Sequence, residues 1–174
     1  MARLFVAVLP PERVLDVVAG LDRPEAPGLR WTGREQWHVT LRFLGRVDDA
    51  QPVVDALRGV PAAEAGGVAA VLGPAVGRFA NRVLHLPVAG LDGLACRVEE
   101  ATAGLGQPPE DRAFRGHLTL ARVAKGARVD LGPLTGQAAS ERWAVEDMCL
   151  VESHLAPAGA RYEVLERFPV TSPS

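Results

Sequence analysis

His38-Val39-Thr40-Leu41 and His117-Leu118-Thr119-Leu120 read almost alike. Each runs histidine, branched aliphatic, threonine, leucine, and each lies in a strand-like segment, Trp37 to Leu44 and Gly116 to Val123. Side chains two apart in a strand share a face. His38 and Thr40 therefore point one way while Val39 and Leu41 point the other, and the second copy repeats this with His117 and Thr119. The aliphatic face suits a core; the His/Thr face suits a cleft wall. A single match carries little weight, because threonine and aliphatic residues are common in strands. Two copies in a chain with only four histidines, one in each half, predict a shared two-imidazole acid/base site.

Working outward, Arg3 to Leu9 reads as a buried strand. Pro10-Pro11-Glu12 then opens a helix through about Leu21, since proline is tolerated in a first helical turn and an acid suits the helix dipole there. A second helix is expected from Asp48 to Arg58. Strands are expected at Val68 to Leu72 and Arg82 to Val88, and a third helix at Leu91 to Leu105, where apolar residues recur at helical spacing. Trp143 to Leu155 and Arg161 to Phe168 read as a closing strand pair. Ala124 to Ser140 is Gly-rich and weakly patterned; it either covers the cleft as a mobile loop or hides an unrecognised element. Strand, helix and His-strand thus recur in order. The expectation is an α+β, bilobal fold with two pseudo-symmetric lobes, antiparallel sheets flanked by helices around a central cleft, and a single two-lobed domain over residues 1–174.

The chain has 174 residues, 48% of them hydrophobic and 23% charged, which fits one globular core. A net charge of −2 argues against a broadly basic nucleic-acid-coating surface but leaves room for a local phosphate patch. Lys125 is the only lysine, so the cations are arginines. Cys96 and Cys149 have no CxxC partner and read as buried free thiols. The apolar run before Pro10 is too short for a signal peptide, and no run approaches the roughly 20 residues of a membrane span. A cytoplasmic monomer with no membrane attachment is expected. No HxxxH, CxxC or close carboxylate–histidine cluster suggests a metal.

Four pieces in order carry a resemblance: Arg3 to Val8, Trp37 to Gly45, Gly116 to Arg122, and Ser153-His154-Leu155 through Tyr162. Together they resemble the two-histidine phosphoesterases, specifically the RNA 2′,3′-cyclic phosphodiesterases once named 2′-5′ RNA ligases. Gly116 departs from the pattern, since many relatives carry proline there. The resemblance implies a bilobal fold without cofactor or required metal. It also implies hydrolysis of RNA 2′,3′-cyclic phosphate ends to 2′-phosphates, with RNA ends, tRNA fragments among them, as partners. It assigns His38 as proton donor and His117 as proton acceptor, which the residues alone do not distinguish.

Histidine suits both jobs because its ordinary pKa of about 6.5 keeps both forms accessible. Thr40 and Thr119 are placed to bond the phosphoryl oxygens. For a supporting cation, strand parity favours Arg42 while the resemblance favours Arg122. His85 and His154 read as structural or surface residues, and Ser153 and Tyr162 as members of the closing strands. Other readings remain open: ligation at the same site, esterase action on small cyclic-phosphate nucleotides, and a non-catalytic RNA-end-binding module.

Overall fold

The computed structural model describes residues 1–63 and 66–171. In chain order the elements are β1 (Ala2–Val8), α1 (Glu12–Ala19), β2 (Leu29–Trp31), β3 (Val39–Val47), α2 (Gln51–Arg58), β4 (Val68–Leu72), β5 (Gly77–Phe79), β6 (Val83–Ala89), α3 (Asp92–Ala101), β7 (His117–Val123), β8 (Glu141–Val145), β9 (Asp147–Ala156) and β10 (Gly159–Pro169). Each helix buries one stripe: Val14 and Val18 in α1, Val53, Val54 and Leu57 in α2, Leu94, Ala95 and Val98 in α3. These stripes cluster with Leu4, Val6, Val39, Leu86, Leu118 and Leu150 from the sheet to form the main core. A smaller apolar cluster, Phe5, Ala7, Cys149 and Val151, is formed by the alternate residues of β1 and β9.

The strands run in the order β10-β9-β1-β3-β7-β6-β4-β8, with β2 added to β7 and β5 to β6. Counting outward from the middle, β3, β1, β9 and β10 mirror β7, β6, β4 and β8. The units β1-α1-β3 and β6-α3-β7 are the two copies of the strand–helix–His-strand pattern. Between β3 and β7 the recorded pairing is one rung, Val39 opposite Leu118. The two histidine strands meet at this one rung, near their starts.

The outer segments depart from the sequence expectation. Trp143 to Leu155 is not one strand. The chain breaks at Glu146: β8 pairs with β4 in the second lobe, whereas β9 pairs with β1 and β10 in the first. The lobes are therefore not sequential halves. Two short strands, β2 and β5, lie outside the expected elements; at three residues each they carry too little pattern to be seen. Ala124 to Ser140 is tied down. Leu131 and Ala139 are buried, the Val76 amide donates to the Gln137 carbonyl at 2.9 Å, and the Gly136 amide donates to the Val76 carbonyl at 2.8 Å. It holds one short 3-10 turn, Gly132–Leu134, and is not a free flap. Both thiols are free, but Cys96 is exposed rather than buried. Among the described residues no helix is long and apolar enough to cross a membrane.

Candidate active site

The single rung between Val39 and Leu118 brings the two motifs together. Continuing an antiparallel pair outward by one residue places His38 across from Thr119 and Thr40 across from His117. Cross-strand neighbours of this kind have Cβ atoms about 5 Å apart. Val39 and Leu118 are fully buried on the core side, so the imidazoles and hydroxyls stand on the opposite face. Both motifs are thus joined as their alternation predicts, in a two-fold arrangement about the rung.

The histidines are held in the same way. The His38 Nδ1 lies 2.7 Å from the Gln36 carbonyl, and the His117 Nδ1 lies 2.7 Å from the Arg115 carbonyl. A carbonyl only accepts, so Nδ1 carries the proton in both rings and Nε2 is left for chemistry. In the neutral form the His38 Nε2 accepts from the Thr40 hydroxyl at 3.0 Å. Each ring also has aromatic neighbours. His38 packs against Phe5 and Tyr162, with centroids 4.9 and 5.1 Å away. His117 meets Phe79 edge-on at 4.8 Å and His85 at 5.7 Å, and Phe79 stacks on His85 at 3.9 Å.

Burial governs the electrostatics. Loss of water lowers His38 to about 4, with Arg122 and His117 adding smaller repulsions against a backbone bond that opposes the shift. His117 is lowered too, first by burial and then by Arg122, Arg112 and Arg115. His85 falls to about 4, mainly by burial and then through His117. His38 and His85 are therefore neutral near pH 7. The charged groups acting on His38 and His117 are all cationic or other imidazoles, with no carboxylate among them.

Both histidine strands carry a β-bulge at the third residue after the histidine. In β3, Ala7 faces Thr40 and Val6 faces Arg42, which leaves Leu41 extra. In β7, His85 faces Thr119 and Leu84 faces Ala121, which leaves Leu120 extra. A bulge reverses the alternation beyond it. Leu41 and Arg42 are consecutively buried and Phe43 emerges; Leu120 and Ala121 are consecutively buried and Arg122 emerges. Arg42 therefore lies on the buried face and does not share a face with His38 and Thr40. Arg42 is 5% exposed, and its guanidinium donates to the Gln107 carbonyl at 2.6 Å, in the loop after α3. Arg122 is the cation whose charge reaches His38, His117 and Tyr162.

The Leu120 bulge is pinned by a residue that the sequence did not single out. The Thr32 amide donates to the Leu120 carbonyl at 2.9 Å, and the Thr32 hydroxyl lies 2.9 Å from the carbonyls of both Thr119 and Leu120. That hydroxyl accepts from the indole of the buried Trp37, next to His38, at 3.0 Å. Gly116, the departure from the family pattern, also has a local cause. A Cβ there would run into the Val88 carbonyl oxygen, so the chain leading into His117 passes too close to the end of β6 for a side chain.

His154 and Ser153 lie on β9, and Tyr162 on β10. Ser153 opposes Tyr162, and Glu152 opposes Glu163. By alternation Tyr162 faces His38, while Glu152, His154 and Glu163 share the other face. There the His154 Nε2 lies 3.3 Å from Glu163 and 3.8 Å from Glu152. This is the carboxylate–histidine cluster that spacing did not reveal, because its third member comes from the neighbouring strand. It sits on the opposite side of the hairpin from the cleft.

This arrangement can place one base and one acid on a phosphoryl group, with hydroxyls and an arginine for its oxygens. The family comparisons agree. A model described as LigT-like phosphoesterase matches residues 6–71. The RNA 2′,3′-cyclic phosphodiesterase of Thermus thermophilus is 34% identical over 185 residues, covering 95% of this chain and 89% of that one. The chain belongs to the LigT-like phosphoesterase family. A protein of the same description from Geobacillus stearothermophilus is 30% identical over 157 residues, covering 83% of this chain and 48% of that longer one. The crystal structure of TT0787 from Thermus thermophilus superposes with a TM-score of 0.77 at 32% identity, covering 97% of each chain. The α+β class and the two-histidine resemblance both hold.

Proposed function

We propose that this chain hydrolyses RNA 2′,3′-cyclic phosphate ends to 2′-phosphates without a metal. The observation that carries the proposal is the pairing of two Nδ1-anchored imidazoles across one rung, each with a threonine hydroxyl opposite it. Binding alone would not need a matched acid and base. The naming of relatives in Thermus and Geobacillus supports the substrate class.

In this reading His117 takes the proton of the attacking water through Nε2. His38 gives a proton to the departing sugar oxygen on the other side of phosphorus. The Thr40 and Thr119 hydroxyls and the Arg122 guanidinium hold the phosphoryl oxygens, where charge rearranges in the transition state. The role assignment comes from the family resemblance and makes one demand. Burial depresses His38 strongly, so the bound phosphodiester anion must raise it for His38 to donate a proton. An anion against Nε2 acts in that direction.

The test is turnover of an oligonucleotide ending in a 2′,3′-cyclic phosphate, with the product compared by phosphorus NMR against authentic 2′- and 3′-phosphates. A 2′-phosphate is expected. A predominantly 3′-phosphate product would overturn the placement of the acid, and no turnover of any cyclic phosphate would overturn the enzymatic reading.

A further inference from the structure

We propose that Arg30, beside Arg122, forms a subsite for the next phosphate of an RNA strand while Arg122 holds the reacting one, so that the cleft is built for oligonucleotide ends rather than isolated nucleotides. The inference rests on the cyclic-phosphate reading above and adds to it the length of the substrate.

In the β2–β7 ladder Arg30 is the direct partner of Arg122, flanked by the pairs Leu29–Val123 and Trp31–Ala121. Leu29, Trp31 and Val123 pack against the main core, and Ala121 is part of it. Alternation then sends Arg30 and Arg122 together to the other face, and both are exposed. That face is the cleft face, because the Leu120 bulge turns Arg122 toward the histidines. Arg30 would have lain behind the sheet if β7 had run on without the bulge. Both strands contribute to placing this pair.

Like charges directly opposite each other in a ladder are destabilising. Some arginines of this chain pair with acids, Arg13 with Glu141, Arg34 with Glu12 and Asp16, Arg58 with Glu166 and Arg167 with Asp147, and one other opposed arginine pair, Arg3 and Arg46, lies in the β1–β3 ladder. Among the described residues Arg30 and Arg122 make no side-chain hydrogen bond or ion pair, so nothing within the fold offsets their repulsion. A substrate that sets one phosphate at each arginine does, and a planar guanidinium fork suits a phosphate.

The two arginines are not equivalent. Arg122 lies on the histidine strand β7 itself, whereas Arg30 lies on the neighbouring strand β2. Arg30 thus lies farther from the reacting phosphorus, where the chain of a longer substrate continues. A mononucleoside cyclic phosphate has one phosphate and leaves Arg30 unused.

The experiment compares wild type, Arg30→Ala and Arg30→Lys on two substrates, a mononucleoside 2′,3′-cyclic phosphate and a short oligonucleotide with the same terminus. The ratio of kcat/KM for the oligonucleotide over the mononucleotide should fall about tenfold in Arg30→Ala and be mostly restored in Arg30→Lys. The salt dependence on the oligonucleotide should weaken by about one phosphate contact. An unchanged ratio overturns the subsite, because Arg30 then acts on both substrates alike or on neither. A second readout is independent of turnover: fluorescence anisotropy of an oligonucleotide with a 2′-phosphate end. Weaker binding by Arg30→Ala supports the subsite even if cyclic-phosphate hydrolysis is not observed. Equal affinity overturns the subsite and leaves the hydrolytic reading standing.

Discussion

Replacing Arg42 and Arg122 in turn separates two arginines that the sequence could not rank. Arg42 is buried, with one short bond to the Gln107 carbonyl at 2.6 Å and two marginal ones to Phe43 and Leu105 at 3.3 and 3.5 Å. A hydrogen bond from a charged donor contributes about 1.5–3 kcal/mol, and the lost alkyl packing adds to this. Burial disfavours the guanidinium charge and lowers its pKa, so relief of that burden offsets part of the loss. The net cost of Arg42→Ala is about 2 kcal/mol. For a domain of this size that is a drop of about 4–8 °C in Tm. Its kcat/KM, measured on folded protein, should stay within about twofold of wild type. Arg122→Ala should do the reverse: stability within about 0.5 kcal/mol, and turnover lower by about 10²-fold, the scale of one lost transition-state donor. Calorimetry and steady-state kinetics on a cyclic-phosphate substrate read both. If Arg42→Ala lost activity with an unchanged Tm, or if Arg122→Ala turned over normally, the argument from the bulges would be wrong.

His38→Ala and His117→Ala should each lower turnover by about 10²-fold or more while leaving the circular dichroism spectrum intact; a folded variant with near wild-type rates would sink the two-histidine mechanism. Because His38 stands at about 4 and His117 below its ordinary value, the singly protonated free site is most populated in the acid range. The kcat/KM profile should therefore be bell-shaped with its maximum below pH 6.5, and a maximum above pH 7 would contradict this. Activity should survive exhaustive EDTA treatment, since the Glu152–His154–Glu163 cluster lies on the far face of its hairpin; loss restored by a divalent ion would place a metal in the mechanism. The protein should also lose stability in acid. His38 and His85 are at about 4 when folded against about 6.5 when unfolded, so the unfolded chain binds more protons between those values. Their contribution is complete above pH 6.5 and declines as pH falls toward 4, by up to about 3 kcal/mol per group. Urea unfolding at pH 7 and pH 4.5 measures this, and His85→Gln should flatten the dependence.

Strand alternation is a local property, and it was enough to place His38 and Thr40 on one face and His117 and Thr119 on another, each backed by an aliphatic core face. Helical spacing similarly located α1, α2 and α3 to within a few residues, and the duplicated motif gave the bilobal arrangement. A bulge is defined by two strands, because an extra residue exists only relative to a partner. Neither Leu41 nor Leu120 therefore announces in the sequence that it will reverse the parity beyond it. That reversal buried Arg42 and exposed Phe43 and Arg122. The Thr32 bond that pins the bulge spans 87 and 88 residues. The aromatic walls of Phe5, Tyr162, Phe79 and His85, and the assignment of β8 and β9 to different lobes, likewise depend on pairings between distant segments. The reacting groups were legible because they repeat within short strands. Their surroundings were not, because only the closed sheet decides which residues become neighbours.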